Sequence, residues 1–329
     1  MTEQKPLPSG FGAKTTAEEV LAGCDLRGKV AIVTGGHGGL GLETTRVLSN
    51  AGATVIAGSR DPKKAQAAVA ITKNVEVGQL DLASPSSIDR FAVEFLKSNR
   101  ALDLLINNAG LMAAPLMRDA RGYEMQFATN HLGHFQLTAR LWEALKKSGE
   151  ARVVTLSSRG HSFGEVDFSD PNFNTRPYDK WKSYGQSKSA NSLFSVELDK
   201  RGREYGIRAF AAHPGAILTE LTRYITEEEL KAFGVNRENG VLKLPERFKN
   251  VGQGAATTIW CAVSPQLNGK GGVYCEDCDI AAAVPADSKL FTGVRPWAVD
   301  KAAAEALWDL SAKLTSVSIL DRAAAGRSA

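Results

Sequence analysis

The stretch KVAIVTGGHGGLGLETTRVLSNAGATVIAGS, residues 29–59, decides the reading of this chain. It opens on a short apolar run, 29–34, which reads as a strand. A glycine-rich turn follows, Thr34-Gly35-Gly36-His37-Gly38-Gly39-Leu40-Gly41, then a helical pattern from about Leu40 to Asn50, then a second apolar run at 54–59. Strand, glycine turn, helix and strand in that order make one βαβ unit. Further strands are predicted at 75–79, 102–106, 152–156 and 208–213, separated by helix-length segments such as 86–97 and 123–147. Regular alternation calls for parallel strands, because each crossover needs a connection long enough to return across the sheet. The expected fold is therefore α/β, a doubly wound parallel sheet of Rossmann type.

Outside this core, residues 1–28 read as an arm, flexible to about Gly12, followed by a short helix. That helix starts at Thr15-Thr16-Ala17-Glu18-Glu19 and runs to Gly23. Residues 29–315 are expected to form one domain carrying two insertions, 159–180 and 220–250, with a late helix at 298–314 and a tail at 316–329. No repeat or composition shift marks a second domain.

Hydrophobic residues at 43% and charged residues at 23% argue against a disordered or fibrous chain. The formal charge of +4, from 40 basic and 36 acidic residues, is spread along the sequence rather than gathered in a stripe, so a nucleic-acid partner is not expected. No signal-peptide core and no apolar run of about 18 residues is present, which points to a cytoplasmic protein without a membrane span. The four cysteines, Cys24, Cys261, Cys275 and Cys278, are too few for a disulfide framework. The Cys275–Cys278 pair lacks the second pair a zinc site needs, and His131 and His134 lack a third ligand, so no metal is expected and these histidines are assigned packing or surface roles.

A dinucleotide pyrophosphate needs backbone N–H groups and a helix N-terminus aimed at it, and glycines let the backbone approach where a Cβ would collide. Gly35, Gly39 and Gly41 fit those roles. Strand ends supply further candidates: Ser59-Arg60 after the second strand, Asp81-Leu82 after the third, with Asp81 facing adenine, and Asn107-Asn108-Ala109-Gly110 after the fourth. An acid at the end of the second strand would bind the ribose hydroxyls of NAD. Ser59 and Arg60 stand there instead, and a guanidinium can hold a 2′-phosphate bidentately, which favours NADP(H) while NAD(H) stays open. Asp61 could pair with Arg60, and His37 is not a permanent cation. Tyr184 and Lys188, four apart, share a helical face, and a neighbouring ammonium favours the phenolate. Either Ser157 or Ser158 could orient a substrate oxygen beside them.

The ordered motifs TGxxxGxG at 34–41, NNAG at 107–110, Asn130, Ser158, YxxxK at 184–188 and His213-Pro214-Gly215 resemble those of short-chain dehydrogenases/reductases. Within that superfamily the chain is most similar to the retinol dehydrogenase and WW-domain oxidoreductase branch, through Thr15-Thr16-Ala17, Gly254-Ala255-Ala256-Thr257-Thr258 and Gly271-Gly272-Val273-Tyr274. The resemblance covers roughly residues 14–315. It implies a hydride transfer between a nicotinamide and an alcohol/carbonyl pair, with a lipophilic, bulky, retinoid-, steroid- or xenobiotic-like substrate. Tyr184 would be the proton donor and acceptor, Lys188 would hold the nicotinamide ribose and lower the Tyr184 pKa, Ser158 would hold the substrate oxygen, and Asn130 would hold a relay water. The cofactor site it implies comprises Gly35, His37, Gly38, Gly39, Leu40, Gly41, Ser59, Arg60, Asp81, Leu82, Asn108, Ala109, Gly110, Tyr184, Lys188, Pro214, Gly215 and Thr219. Homo-oligomerisation is compatible with the sequence. The competing reading is a cofactor-sensing regulatory protein without turnover, against which the complete Ser–Tyr–Lys–Asn set speaks. Five aromatics in or beside the first insertion, Phe163, Phe168, Phe173, Tyr178 and Trp181, are expected either to fold over the core as a substrate wall or only to anchor the insertion.

Overall fold

The computed structural model of the protein describes residues 2–238 and 241–319. Its strands are β1 (Val30–Thr34), β2 (Thr54–Ser59), β3 (Val75–Gln79), β4 (Leu104–Asn107), β5 (Arg152–Leu156), β6 (Arg208–His213), β7 (Asn236–Glu238), β8 (Val241–Lys243), β9 (Val273–Glu276) and β10 (Asp279–Ile280). The helices are α1 (Ala17–Leu21), α2 (Gly39–Asn50), α3 (Pro62–Ala68), α4 (Pro85–Lys97), α5 (Met125–Phe127), α6 (Gly133–Arg140), α7 (Trp142–Ser148), α8 (Lys180–Gly202), α9 (Glu227–Ala232), α10 (Val251–Val263) and α11 (Lys301–Thr315). Eight strands form one sheet in the order β10-β9-β6-β5-β4-β1-β2-β3, and β7 and β8 form a separate hairpin. Within the large sheet every pair is parallel except β9 with β10. This is the doubly wound α/β sheet expected from the alternation.

Period-two alternation along each central strand feeds two cores. Ala31 and Val33 join Val55, Ile106, Val154, Phe210 and Trp260 on one face, while Ile32 joins Ile56, Leu105, Val153, Phe135 and Trp308 on the other. Strand order reverses between β1 and β4, which opens a crevice at their carboxyl ends.

Three expectations change. The single helix expected over 123–147 is broken into α5, a π-helical turn at Ala128–Leu132, α6 and α7. Gly133 lies just past that turn, where a Cβ would come within 2.4 Å of the Leu82 carbonyl oxygen, so a glycine lets the helix press against the β3–α4 connection. The 220–250 insertion is α9 and the β7–β8 hairpin, preceded by a 3₁₀ turn at Glu220–Tyr224. Finally, the opening segment is docked rather than flexible. Gln4 Nε2 donates to the carbonyls of Tyr274 at 2.8 Å and Ala281 at 2.7 Å, and Gln4 Oε1 accepts from the Tyr274 amide at 2.9 Å. Asp279 accepts from the amides of Leu7 and Ser9. Most of the 316–329 tail, from residue 320 on, lies outside the described residues.

Docking of the arm gives a test. Gln4→Ala removes three hydrogen bonds to the sheet edge and is expected to destabilise the protein by about 2 kcal/mol at roughly 1 kcal/mol or less per bond. At this chain length that lowers Tm by roughly 3 °C. An unchanged melting curve would mean the arm is not held in solution.

Candidate active site

The glycine turn is shaped by contacts a side chain would abolish. A Cβ on Gly41 would sit 2.2 Å from the Gly35 carbonyl oxygen and 2.6 Å from Asn108 Nδ2, so α2 can start there only on glycine. Gly39 has φ +49° and faces Thr219 across the crevice. Gly38 is the N-cap of α2 and offers no side-chain cap, and a Cβ on it would meet nothing within 4 Å. The helices α3, α4, α8, α10 and α11 all carry a capping side chain at the same position. The first-turn amides of α2 are therefore left for an external anion, which fits a pyrophosphate.

Thr34 joins this turn to β4. Its hydroxyl accepts from the amides of Asn108 at 2.9 Å and Ala109 at 3.0 Å, and its carbonyl accepts from Asn108 Nδ2 at 2.8 Å. With two amide protons already received, Thr34 Oγ1 gives its own proton to His134 Nε2 at 2.9 Å, and His134 Nδ1 then donates to the Asn130 carbonyl at 2.9 Å. Burial pushes His134 down to about 4, so the ring is neutral, as that arrangement requires.

Tyr184 and Lys188 lie one turn apart near the start of α8, which Asp179 caps by accepting from the amides of Trp181 and Lys182. Ser158, two residues past the end of β5, lies near enough to the Tyr184 phenol to favour its ionised form. Ser157 by contrast is buried, its hydroxyl donating to the Lys188 carbonyl at 2.8 Å and meeting Ser192 Oγ at 2.8 Å, which favours Ser158 as the residue facing the cleft. Lys188 Nζ donates to the Leu156 carbonyl at 2.8 Å and lies 5.7 Å from the Tyr184 ring centre. Asn130 is less direct than expected. Both Nδ2 protons are used, on the Leu111 carbonyl and Ser187 Oγ, and Oδ1 accepts from the Leu111 amide. Its amide braces the segment after Gly110 from behind the cleft.

Burial governs the protonation of the pair. It drives the Tyr184 phenol up to about 12, against a lowering by Ser158, and drives Lys188 down to about 7. In the free protein burial dominates Tyr184, and Ser158 rather than an ammonium is the group that opposes it.

A cleft of about 1070 Å³ runs from the glycine turn past Tyr184 to the 220–250 insertion. All of the cofactor-site candidates line it, as do Ser158, Tyr184 and Lys188, while Asn130 stands behind it. Of the five insertion aromatics, Phe163 and Trp181 reach the cleft. Phe173 packs on Tyr178, and Phe168 lines a separate surface groove. Lys64 and Arg159 were not singled out beforehand. Lys64 stands one turn into α3, a helix that Asp61-Pro62 announces in the sequence as a cap followed by an N1 proline. Among the described residues no group of three metal-ligating side chains comes together, and no helix is long and apolar enough to cross a membrane.

The sequence model of the short chain dehydrogenase family matches residues 29–230. The chain belongs to that family. It is 43% identical to a "Probable oxidoreductase" of Streptomyces lividans, over 89% of this chain and 99% of that one. It is 39% identical to "Retinol dehydrogenase 12" of Mus musculus, over 88% of this chain and 87% of that one. A crystal structure of an uncharacterised protein from Mycobacterium paratuberculosis superposes with a TM-score of 0.70 at 33% identity, covering 92% of this chain and 98% of that chain. This short-chain dehydrogenase/reductase is therefore an oxidoreductase of the retinol dehydrogenase-like branch, in a family that binds a nicotinamide cofactor.

A buried lysine near pH 7 has a consequence for stability. Lys188 binds a proton below about 10.5 when unfolded and only below about 7 when folded. The unfolded state therefore holds more protons between those values, and stability rises with pH across that window. Lys188→Met is expected to stabilise the cofactor-free protein at pH 7 by about 0.5–2 kcal/mol, a common yield when a functional strain is relieved. The variant should also flatten the rise between pH 7 and 10. The Leu156 carbonyl keeps a donor in Asn191 Nδ2 at 2.9 Å, so no orphan offsets the gain. Denaturant titrations at several pH values check this, and a destabilised variant would contradict it.

Proposed function

We propose that this short-chain dehydrogenase/reductase interconverts a lipophilic alcohol and its carbonyl compound, with Tyr184 as the acid–base group and NADP(H) as the preferred cofactor. The observation that carries the reading is the convergence of a desolvated phenol, its serine partner and a buried lysine on one cleft, whose other end is the uncapped N-terminus of α2. When bound, the nicotinamide supplies or accepts the hydride. Ser158 orients the reacting oxygen through its hydroxyl. Tyr184, protonated in the free protein, gives its proton to that oxygen during reduction and takes it back during oxidation. Lys188 serves the ribose hydroxyls and, as an ammonium, favours the phenolate that remains. Asn130 keeps the segment after Gly110 and the Ser187 turn of α8 in place.

An apolar wall supports a lipophilic substrate. Trp181 lies between Phe163 and Phe233, with ring centres 5.9 and 5.4 Å away, and Met112, Met117 and Leu230 line the same part of the cleft. Glu229 of α9 accepts from Trp181 Nε1 at 2.9 Å and pairs with Lys180 at 2.7 Å, which ties the 220–250 insertion to this wall. For the cofactor, no acid stands where NAD-binding relatives would use one. Asp61 turns away to cap α3 through the Lys64 amide, and Arg60 is exposed at the cleft and forms no ion pair among the described residues. Lys64 stands beside His37 and pairs with Glu220 at 3.5 Å. Burial and the neighbouring Lys64 hold His37 down, so Arg60 and Lys64 carry the positive charge there.

Two measurements check the reading. Tyr184→Phe is expected to lower turnover of a reducible carbonyl by roughly 10²–10⁴-fold while leaving NADPH affinity nearly intact, and near-normal turnover would contradict the assignment. For kcat/KM, NADPH should exceed NADH by about ten- to a hundredfold, and Arg60→Ala should erase at least a factor of about ten, at ~1.4 kcal/mol per tenfold. A preference for NADH in the unsubstituted enzyme would refute the cofactor assignment.

A further inference from the structure

The cleft is also lined by charged residues, and one of them has no ion-pair partner among the described residues. Arg159 follows Ser158 directly, its amide donating to His213 Nδ1 at 3.3 Å. Its side chain lines the cleft and lies against Phe291, the guanidinium carbon 4.3 Å from the ring centre. Among the described residues it forms no ion pair, and no side-chain hydrogen bond is made by its guanidinium.

Its neighbours make this informative. Asp277 is taken by Lys249 at 2.6 Å. Glu276 attracts Arg159 from beyond ion-pair distance and already accepts from the Gly293 amide at 2.6 Å, and burial raises its pKa, which weakens it as a counter-charge. Arg247 and Arg295 add repulsion, and burial and these like charges lower the Arg159 pKa. Arg295 is occupied with the carbonyls of Ser288 and Leu290, and Arg247 with the Phe233 carbonyl. A half-buried guanidinium that faces like charges, rests on an aromatic ring and keeps all its donors free is an unfavourable arrangement by itself. A carboxylate entering the cleft would relieve it through a bidentate contact.

We infer that the substrate carries a carboxylate besides its reacting carbonyl or alcohol, and that Arg159 binds this carboxylate along the β6–β9 side of the cleft. The inference rests on the hydride-transfer reading given above and narrows it: the substrate is amphipathic, with an apolar body against Trp181 and an anionic end at Arg159. Arg159 is then a specificity-determining residue, and the reacting oxygen belongs to Ser158 and Tyr184.

The test compares matched probes: para-formylbenzoate with its methyl ester, and azelaic semialdehyde with its methyl ester, each reduced with NADPH. The unsubstituted enzyme should favour the acid over the ester of at least one pair by about tenfold or more in kcat/KM. Arg159→Gln should collapse that ratio, Arg159→Lys should keep part of it, and Arg159→Glu should invert it. Esters preferred throughout, or a ratio unmoved by Arg159→Gln, would overturn the inference. Equilibrium binding of the same probes to the NADP⁺-loaded protein, followed by tryptophan fluorescence, separates the two layers. Acid-selective binding that depends on Arg159, without turnover of any probe, would contradict the hydride-transfer reading and uphold the carboxylate site. Turnover without acid selectivity would do the reverse, and neither turnover nor selective binding would overturn both.

Discussion

The hydroxyl of Thr34 is the contact on which the site depends. It stands where β1 and β4 part, receives the amides of Asn108 and Ala109, and passes its proton to His134. The opening of the sheet at this point is a consequence of strand order, and this one oxygen ties the residues after β4 to the end of β1. From His134 the chain of contacts continues to the Asn130 carbonyl, and from the Asn130 amide to Ser187, inside the helix that carries Tyr184 and Lys188. The glycine turn, the strand switch and the helix that carries Tyr184 and Lys188 are thus held in one buried polar network. Such a network fixes geometry strongly because each unsatisfied member would be costly in the interior.

A second constraint opposes the first. Folding carries a phenol and an ammonium out of water, and in the free protein each is pushed toward its neutral form. Stability would be better served by apolar residues. The arrangement becomes favourable only with oxygen atoms for Lys188 to bind and a developing negative charge for Tyr184 to meet, which is the condition of a site organised for a charged reaction rather than for its own resting state. The unpartnered guanidinium of Arg159 belongs to the same economy.

The fold was legible because its signals are local. The apolar runs of β1, β2, β3, β5 and β6 and the glycines of the α2 turn report their own environments. Motif order then reached residues that the fold gathers along one cleft. What escaped the sequence was set by tertiary contacts. The irregular helix over 123–147 presses Gly133 against Leu82, a contact between segments some fifty residues apart in sequence. Docking of the N-terminal arm depends on Gln4 finding Tyr274, 270 residues away. The role of Asn130 as a brace, and the packing of His134 against Thr34, likewise need the folded neighbours. Lys64 was readable from the Asp61-Pro62 cap, and the signal was passed over. Arg159 carries no sequence signal at all, since only the other pairings on its wall reveal that it has none.

The account stands on Tyr184 being a desolvated acid that the bound cofactor brings into a working range. Its ionisation can be followed directly by ultraviolet difference titration of tyrosinate, taking the protein minus its Tyr184→Phe variant, with and without NADP⁺. The account predicts an apparent pKa near 12 in the free protein and a fall of at least two units when the oxidised cofactor binds, lost again in Lys188→Met. A Tyr184 pKa that stays where it is on cofactor binding would contradict it.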